Sequence, residues 1–358
     1  MNSKERILAA INHHQPDRIP VDLRFVPALQ KRLLEQLGMS QEDLWEWIGQ
    51  DVFPVRPSYK KPASDVFYAD PTMEINEKGY LLDIYRVPFR KNDVGDAVYV
   101  EMVNEPPLAA VDTAEELERF PWPTTADWDY TRIPAKIDSR SDKAVWPRSR
   151  GSFVTAQMMR GVDRFLMDLA AEPEYADCLL NKISAFVMDD AEKTLLAGGG
   201  RYTFIEYNDD FATQRGLLIS PGMWRKYCKP RIRAFVEMAH RHGAKVKCHS
   251  CGSVYDIIPD LIEIGVDILN PIQPLAKNMD PFKIKKEFGT DICLHGAIDI
   301  QELLPKASPE EVYGHVSRLI EALGRGGGYI LSGSHVLQMD SRIDNIVAVV
   351  KAIHAAGN

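Results

Sequence analysis

Four features that would assign the chain to a specialised class of protein are missing from its sequence. No apolar run is long enough to cross a membrane, and the first residues follow an amphipathic helical pattern, not that of a signal peptide. The five cysteines are odd in number and lack framework spacing, which favours free thiols or a metal site in a reducing cytoplasm over disulfides. A net charge of −8 argues against a nucleic-acid-binding surface. The composition, 45% hydrophobic, is typical of a soluble enzyme, which we expect to be cytoplasmic.

Strands and helices alternate in the pattern of a barrel. After two early strands at Ile19–Leu23 and near Asp51–Val55, the predicted strands are Ser152–Ala156, Tyr202–Tyr207, Ala244–His249, Asp267–Asn270, Asp291–His295 and Tyr329–Ser332. Eight such strand–helix units predict an α/β fold, a (β/α)8 TIM barrel, with an open doubly wound sheet as the alternative. Residues 56–147, rich in proline and tyrosine, predict a β-ribbon insertion and a crossover. Residues 1–358 are therefore predicted to form one barrel domain that carries this insertion.

One pair of residues at a strand end has the chemistry of a metal site. His249 and Cys251 are two positions apart at the end of the predicted strand Ala244–His249, so their side chains point to the same side of it. An imidazole and a thiolate side by side are half of a typical zinc site. The alternative is a buried cysteine beside a hydrogen-bonded histidine.

Polar residues also follow the other predicted strands, at the end where barrel enzymes place their chemistry. Of the acids Asp209 and Asp210, one could carry a raised pKa and act as a general acid, or both could be loop or helix-capping residues. Gln273 could bind substrate or satisfy a loop backbone, and Asp299 could bind substrate or cap the following helix. The set of candidates at the strand ends is Glu206, Asn208, Asp209, Asp210, His249, Cys251, Asn270, Gln273, His295, Asp299, Ser332, Ser334 and His335.

Several motifs resemble the uroporphyrinogen decarboxylase superfamily over nearly the whole chain, most weakly at 56–147. They are Ser3–Arg6 through Pro16–Pro20, Ile219–Pro221 with Trp224, His249–Ser253, Gly265–Pro271, Gly296–Asp299 and Gly326–His335. The superfamily contains porphyrinogen decarboxylases and zinc-dependent methyltransferases of corrinoid systems. The decarboxylases carry an arginine-rich segment where this chain has Asp22–Pro27, which offers only Arg24. A tetrapyrrole with eight carboxylates needs several such partners, so the methyltransferase branch is the closer one.

The resemblance implies a zinc site and a set of roles. His249 and Cys251 match the first two zinc ligands of the methyltransferases, and His335 stands where their third ligand is a cysteine. Glu206 is a candidate fourth ligand, Asp209 or Asp210 a proton donor, and Arg24, Asn208, Gln273 and Asp299 candidate substrate contacts.

The function this resemblance implies is methyl transfer between a small methylated substrate or a thiol and a corrinoid carried by a separate protein, because the chain leaves no room for a corrinoid domain. A homodimer follows from the general prior for such enzymes. The alternatives are a metal-free decarboxylase of a smaller acid, using Asp209, Asp210 and His335, and a non-catalytic homologue.

Overall fold

Helices begin at residues that can cap them. In the computed structural model, which describes residues 1–60, 74–94 and 97–357, Asn2, Ser40, Thr113 and Ser308 each form a reciprocal capping box with the third residue of the following helix. Proline occupies the first turn of many of the others. The helices are α1 Ser3–Ile11, α2 Pro27–Leu37, α3 Gln41–Ile48, α4 Ala114–Arg119, α5 Ile133–Asp138, α6 Ser152–Arg160, α7 Val162–Ala171, α8 Pro173–Gly198, α9 Pro221–Tyr227, α10 Lys229–Arg241, α11 Ile258–Glu263, α12 Pro281–Phe288, α13 Leu303–Lys306, α14 Pro309–Gly324 and α15 Ile343–Ala356.

The strands divide into a parallel set and short antiparallel sets. A four-stranded antiparallel sheet, formed in sequence order by Glu74–Ile75, Leu81–Leu82, Pro88–Val94 and Ala97–Met102, lies within the predicted insertion. The strands are β1 Val52–Pro54, β2 Ser58–Tyr59, β3 Glu74–Ile75, β4 Leu81–Leu82, β5 Pro88–Val94, β6 Ala97–Met102, β7 Trp128–Asp129, β8 Ala144–Trp146, β9 Arg148–Arg150, β10 Phe204–Asn208, β11 Ala212–Thr213, β12 Gly216–Leu217, β13 Lys245–His249, β14 Ile268–Ile272, β15 Cys293–Ile298 and β16 Tyr329–Gly333.

Parallel pairing closes the sheet into a barrel. Six strands pair in the order β16-β15-β14-β13-β10-β9, and β8, separated from β9 only by Pro147, pairs in parallel with β1. The segment around Val21 forms a parallel bridge to Leu331 in β16, and its carbonyl accepts a hydrogen bond from the Asp51 amide beside β1. The ring is therefore the Val21 segment, β1, β8 with β9, β10, β13, β14, β15 and β16. The predicted (β/α)8 TIM barrel is confirmed, and so is its β-ribbon insertion.

The third barrel strand lies elsewhere than predicted. The predicted strand Ser152–Ala156 is the first half of α6, and the strand occupies residues 144–150. The carboxylate of Asp209 accepts hydrogen bonds from the backbone N–H groups of Phe153 and Val154, which are otherwise unpaired donors in the first helical turn. This cap comes from a distant part of the chain, so the apolar pattern of the segment alone gave the wrong element.

Helix α1 closes the amino-terminal end of the barrel. Its apolar face, with Ile7 and Ile11, belongs to a buried cluster that includes residues from the first positions of the barrel strands, among them Val52, Phe204 and Ile268. The barrel is thus filled by apolar side chains at this end, and its polar interior lies towards the carboxyl ends of the strands.

Among the residues the structure describes, no helix has both the length and the apolar composition needed to span a bilayer. Part of the predicted insertion, at 61–73 and 95–96, lies outside the described residues. A single domain over residues 1–358, a homodimer and a cytoplasmic location stay predictions.

Candidate functional site

A cavity of about 240 Å³ opens at the carboxyl ends of the barrel strands. In TIM barrels this end carries the active site, whereas here α1 packs into the opposite end. Most of the side chains around the cavity are polar or charged, which suits a reaction site better than a purely apolar binding pocket. Its lining consists of Arg24, Arg148, Arg150, Val154, Met158, Glu206, Asn208, Asp210, His249, Asn270, Pro271, His295, Ser332, Gly333, His335 and Val336.

Three potential metal donors converge at one edge of this cavity. Donor atoms of Asp210, His249 and Cys251 all lie within 4.8 Å of one another. His249 ends β13, and its Nε2 is 3.5 Å from Sγ of Cys251 and 4.0 Å from Oδ1 of Asp210. The same Asp210 oxygen accepts a hydrogen bond of 2.8 Å from the Cys251 amide, which fixes the loop after β13 against the loop after β10. Burial, together with the Asp210 charge, raises the pKa of the Cys251 thiol.

A continuous row of hydrogen bonds runs from His249 into the barrel interior. His249 Nδ1 is 2.6 Å from Oδ1 of Asn270, which lies opposite it in the register of β14. Asn270 Nδ2 is 2.6 Å from Nδ1 of His295, and His295 Nε2 is 3.0 Å from Oδ2 of Asp22. Burial lowers the pKa of His295 to about 4, so this imidazole is neutral at physiological pH.

Charged side chains form a layer beneath the cavity. Lys247 Nζ lies 2.8 Å from Oε2 of Glu206 and 4.3 Å from the centroid of the Trp146 ring. Arg24 pairs with Asp22 at 2.8 Å. Burial alone would raise the pKa of Glu206, but Lys247 and Arg24 hold it below its usual range. Glu206, a predicted fourth metal ligand, is therefore an ionised carboxylate engaged with a buried ammonium group.

The two neighbouring acids after β10 have separate environments. Asp209 is 1% exposed, and its carboxylate caps α6, while the side chain of Asp210 lines the cavity. Burial raises the pKa of Asp209 to about 7, against the opposing effect of its backbone hydrogen bonds. Of the two predicted catalytic acids, the structure thus brings Asp210 to the cavity and directs Asp209 into a helix terminus.

Of the four predicted substrate contacts, two line the cavity and two bond to local backbone. Arg24 and Asn208 line the cavity. Gln273 Oε1 accepts a hydrogen bond of 2.8 Å from the Gly252 amide, and Asp299 accepts from three backbone N–H groups at 301–303. The last two side chains satisfy local backbone, the structural alternative that the sequence left open for each.

Sequence reasoning missed two arginines of the cavity. Arg148 donates to Asn208 Oδ1 at 2.8 Å, and Arg150 pairs with Asp83 at 2.7 Å. Both belong to β9, and the misplaced prediction of strand Ser152–Ala156 left them outside the barrel. The signal that could have found them is the alternation Ala144–Arg150, in which arginines stand at two successive positions of one strand face.

His335 faces the metal-donor group from the loop after β16. Its ring centroid lies 6.4 Å from that of His249, and both rings line the cavity. Burial, and then repulsion from His249, lowers the pKa of His335. Among the described residues it is not one of the donors that lie within 4.8 Å of one another.

A barrel with a polar cavity and a histidine–cysteine pair at its mouth has the side chains that metal binding or acid–base chemistry requires. The family of uroporphyrinogen decarboxylase (URO-D) matches residues 145–356, and the chain belongs to this family.

Two similar proteins come from Methanosarcina mazei. A methylated-thiol–coenzyme M methyltransferase is 25% identical over 211 residues, which cover 58% of this chain and 52% of the relative. The chain thus spans about half the length of that curated relative. The solved structure of a methyltransferase superposes over 99% of both chains with a TM-score of 0.68 and 16% identity, which shows the shared fold.

Proposed function

We propose that the chain is a zinc-dependent methyltransferase that works with a separate corrinoid protein. The observation that carries the proposal is the convergence of Asp210, His249 and Cys251 donor atoms within 4.8 Å at the cavity edge. The family membership and the methyltransferase names of both relatives support the reaction class.

The residues present fit a zinc ion. Imidazole nitrogen, thiolate sulfur and carboxylate oxygen are all zinc ligands, and three protein ligands with an open position are typical of catalytic sites. The Cys251 thiol has a raised pKa beside the Asp210 carboxylate, and a divalent cation between them would reverse that effect by favouring the thiolate. We infer that His249 Nε2, Cys251 Sγ and an Asp210 oxygen would hold the ion at the edge of the cavity.

The chemistry that zinc would supply is Lewis acidity at the heteroatom that loses or receives the methyl group. The chain itself contributes binding and orientation. Arg24, Arg148 and Arg150 line the same cavity and would bind a negatively charged part of the substrate. His335, across the cavity from His249, would contact the reacting part of the substrate or serve as the predicted third ligand in place of Asp210. The open mouth would receive the corrinoid protein, because the small substrate and the corrinoid must meet there.

The decarboxylase alternative has less support from the geometry. It uses Asp209, Asp210 and His335 to handle protons, but the Asp209 carboxylate is turned into the first turn of α6. Only Asp210 and His335 remain at the cavity for that chemistry.

Zinc content and methyl transfer test the proposal together. We expect about one zinc per chain after purification without chelator, with loss of zinc in His249→Ala and Cys251→Ala. We also expect the zinc-loaded enzyme to demethylate methylcobalamin in the presence of a thiol, with cobalamin absorbance as the readout. Cys248→Ala, a buried cysteine of the same strand, is the matched control that should keep its zinc. A chain that takes up no zinc when zinc is added would overturn the metal assignment. A zinc-loaded chain that neither moves the methyl group of methylcobalamin to a thiol nor methylates cob(I)alamin from a small methylated compound would overturn the reaction.

A further inference from the structure

In the row of hydrogen bonds beneath His249, the donor and the acceptor of each bond can be assigned in turn, starting from Asp22. Resting on the proposed function, in which His249 Nε2 is a metal ligand, we propose that Asp22, His295 and Asn270 are positioning residues that hold His249 in the tautomer protonated on Nδ1. Each of these residues acts through its neighbour, and the last one acts on the ring that we assign to the metal.

Asp22, at the end of the row opposite His249, is 1% exposed. Arg24 Nη2 lies 2.8 Å from its Oδ2, and Lys247 Nζ lies 4.0 Å from the same oxygen. Burial would raise the pKa of Asp22, but the charge of Arg24 and the hydrogen bond from His295 help to hold it well below its usual range. An ionised carboxylate can only accept hydrogen bonds. His295 must therefore donate to it from Nε2, across 3.0 Å.

His295 is a neutral imidazole that donates from Nε2. A neutral imidazole carries one N–H, so a ring that donates from Nε2 presents a bare Nδ1. The bare nitrogen accepts from the Asn270 amide nitrogen at 2.6 Å. This contact fixes the orientation of the amide, which is otherwise ambiguous because its oxygen and nitrogen have nearly the same shape. The amide oxygen is thereby directed at His249.

Asn270 sets the tautomer of His249. The amide oxygen of Asn270 lies 2.6 Å from Nδ1, so Nδ1 must be the protonated nitrogen. In the neutral ring Nε2 then carries the lone pair, and this atom lies 3.5 Å from Sγ of Cys251 and 4.0 Å from Oδ1 of Asp210. In the metal-free protein this lone pair can accept from the protonated Cys251 thiol. The arrangement presents the metal with a nitrogen that has no proton to lose and a ring that cannot rotate freely.

Nitrogen NMR of the metal-free, full-length chain labelled with ¹⁵N-histidine tests the proposal directly. We expect His249 to be protonated on Nδ1 and His295 on Nε2, each assigned by the signals that disappear when that histidine is replaced. His295→Leu removes the acceptor for the Asn270 amide and the contact with Asp22. His242→Leu, which removes a histidine paired with Glu192 away from the cavity, is the control.

If the three residues position His249, its preference for Nδ1 protonation is lost in His295→Leu and kept in His242→Leu. Zinc affinity should fall by about 10–100-fold in His295→Leu and stay near that of wild type in His242→Leu. A wild-type His249 protonated on Nε2 overturns the proposal, even if the leucine variant does not fold. So does a His249 tautomer that is the same in wild type and His295→Leu. Because the tautomer is measured without metal, a chain with the expected tautomers that binds no zinc would remove the zinc proposal alone.

Discussion

Lys247 and Glu206 face each other across two neighbouring barrel strands, with Nζ 2.8 Å from Oε2, and both side chains are almost fully buried. Residues of β10 and β13 at this level are direct partners in the parallel register, which pairs Glu206 with Lys247. An ammonium group at this depth has lost its hydration and depends on the carboxylates around it. The pair therefore connects the stability of the barrel to the floor of the cavity.

Replacing Lys247 by Met is expected to lower the free energy of unfolding by about 3–5 kcal/mol, because it leaves the buried Glu206 charge without its partner. Urea unfolding measures the change. Lys245→Met is the matched control on the same strand, since Lys245 pairs with Asp267 near the surface, and it should cost less than about 1 kcal/mol. Combining Lys247→Met with Glu206→Gln should restore part of the loss, and strictly additive effects would show that the two side chains are not coupled.

A side chain at Gly151 is expected to destabilise the fold, because a Cβ there would collide with the carboxyl group of Asp209. Gly151→Ala should displace the cap of α6 and lower the free energy of unfolding by about 1–3 kcal/mol. Gly314→Ala, in the exposed part of α14 with no heavy atom within 4 Å of the added Cβ, should be neutral or stabilise by up to about 1 kcal/mol. Equal urea midpoints for the two variants would contradict the close approach.

Asp209 should make the stability of the metal-free protein depend on pH. Its pKa is raised to about 7 in the folded chain, so between about pH 4 and pH 7 the folded state binds more protons than the unfolded state. The free energy of unfolding must then fall as the pH rises through this range. Asp209→Asn, which stays neutral, should flatten that fall in urea unfolding measured at several pH values, and an unchanged slope would contradict the raised pKa.

Asp210 and His335 can be separated as zinc ligands. If Asp210 is the third ligand, Asp210→Asn should weaken zinc binding by at least about tenfold, and His335→Ala should leave the affinity near that of wild type. Competition with a chromophoric chelator measures both. The opposite ranking would identify His335 as the ligand, as the resemblance to the methyltransferases implies.

The sequence predicted the barrel because its strongest signals are local. Alternating strands and helices, capping residues such as Ser308, and the paired positions of His249 and Cys251 depend only on neighbours in the chain. The family resemblance rested on short motifs of the same kind, and the match to residues 145–356 confirmed it.

Interactions between distant segments were harder to foresee. The helix that begins at Ser152 is capped by Asp209, more than fifty positions later, and the misplaced strand prediction left Arg148 and Arg150 out of the site. His295 stood among the predicted strand-end residues, but its contacts with Asn270 and Asp22 depend on the register of three strands and on the closure of the barrel. A local sequence pattern identifies the polar residues of such a site, but it does not predict which of them are in contact.

The packing of α1 into the amino-terminal end of the barrel has a kinetic consequence for an enzyme of this design. With that end filled by Ile7, Ile11 and the cluster around them, a small substrate reaches the cavity from the carboxyl ends of the strands. A protein partner that docks on the same rim to deliver a cofactor would cover that route. Turnover would then follow a compulsory order, in which the small molecule enters before the partner arrives and the product leaves only after the partner has gone.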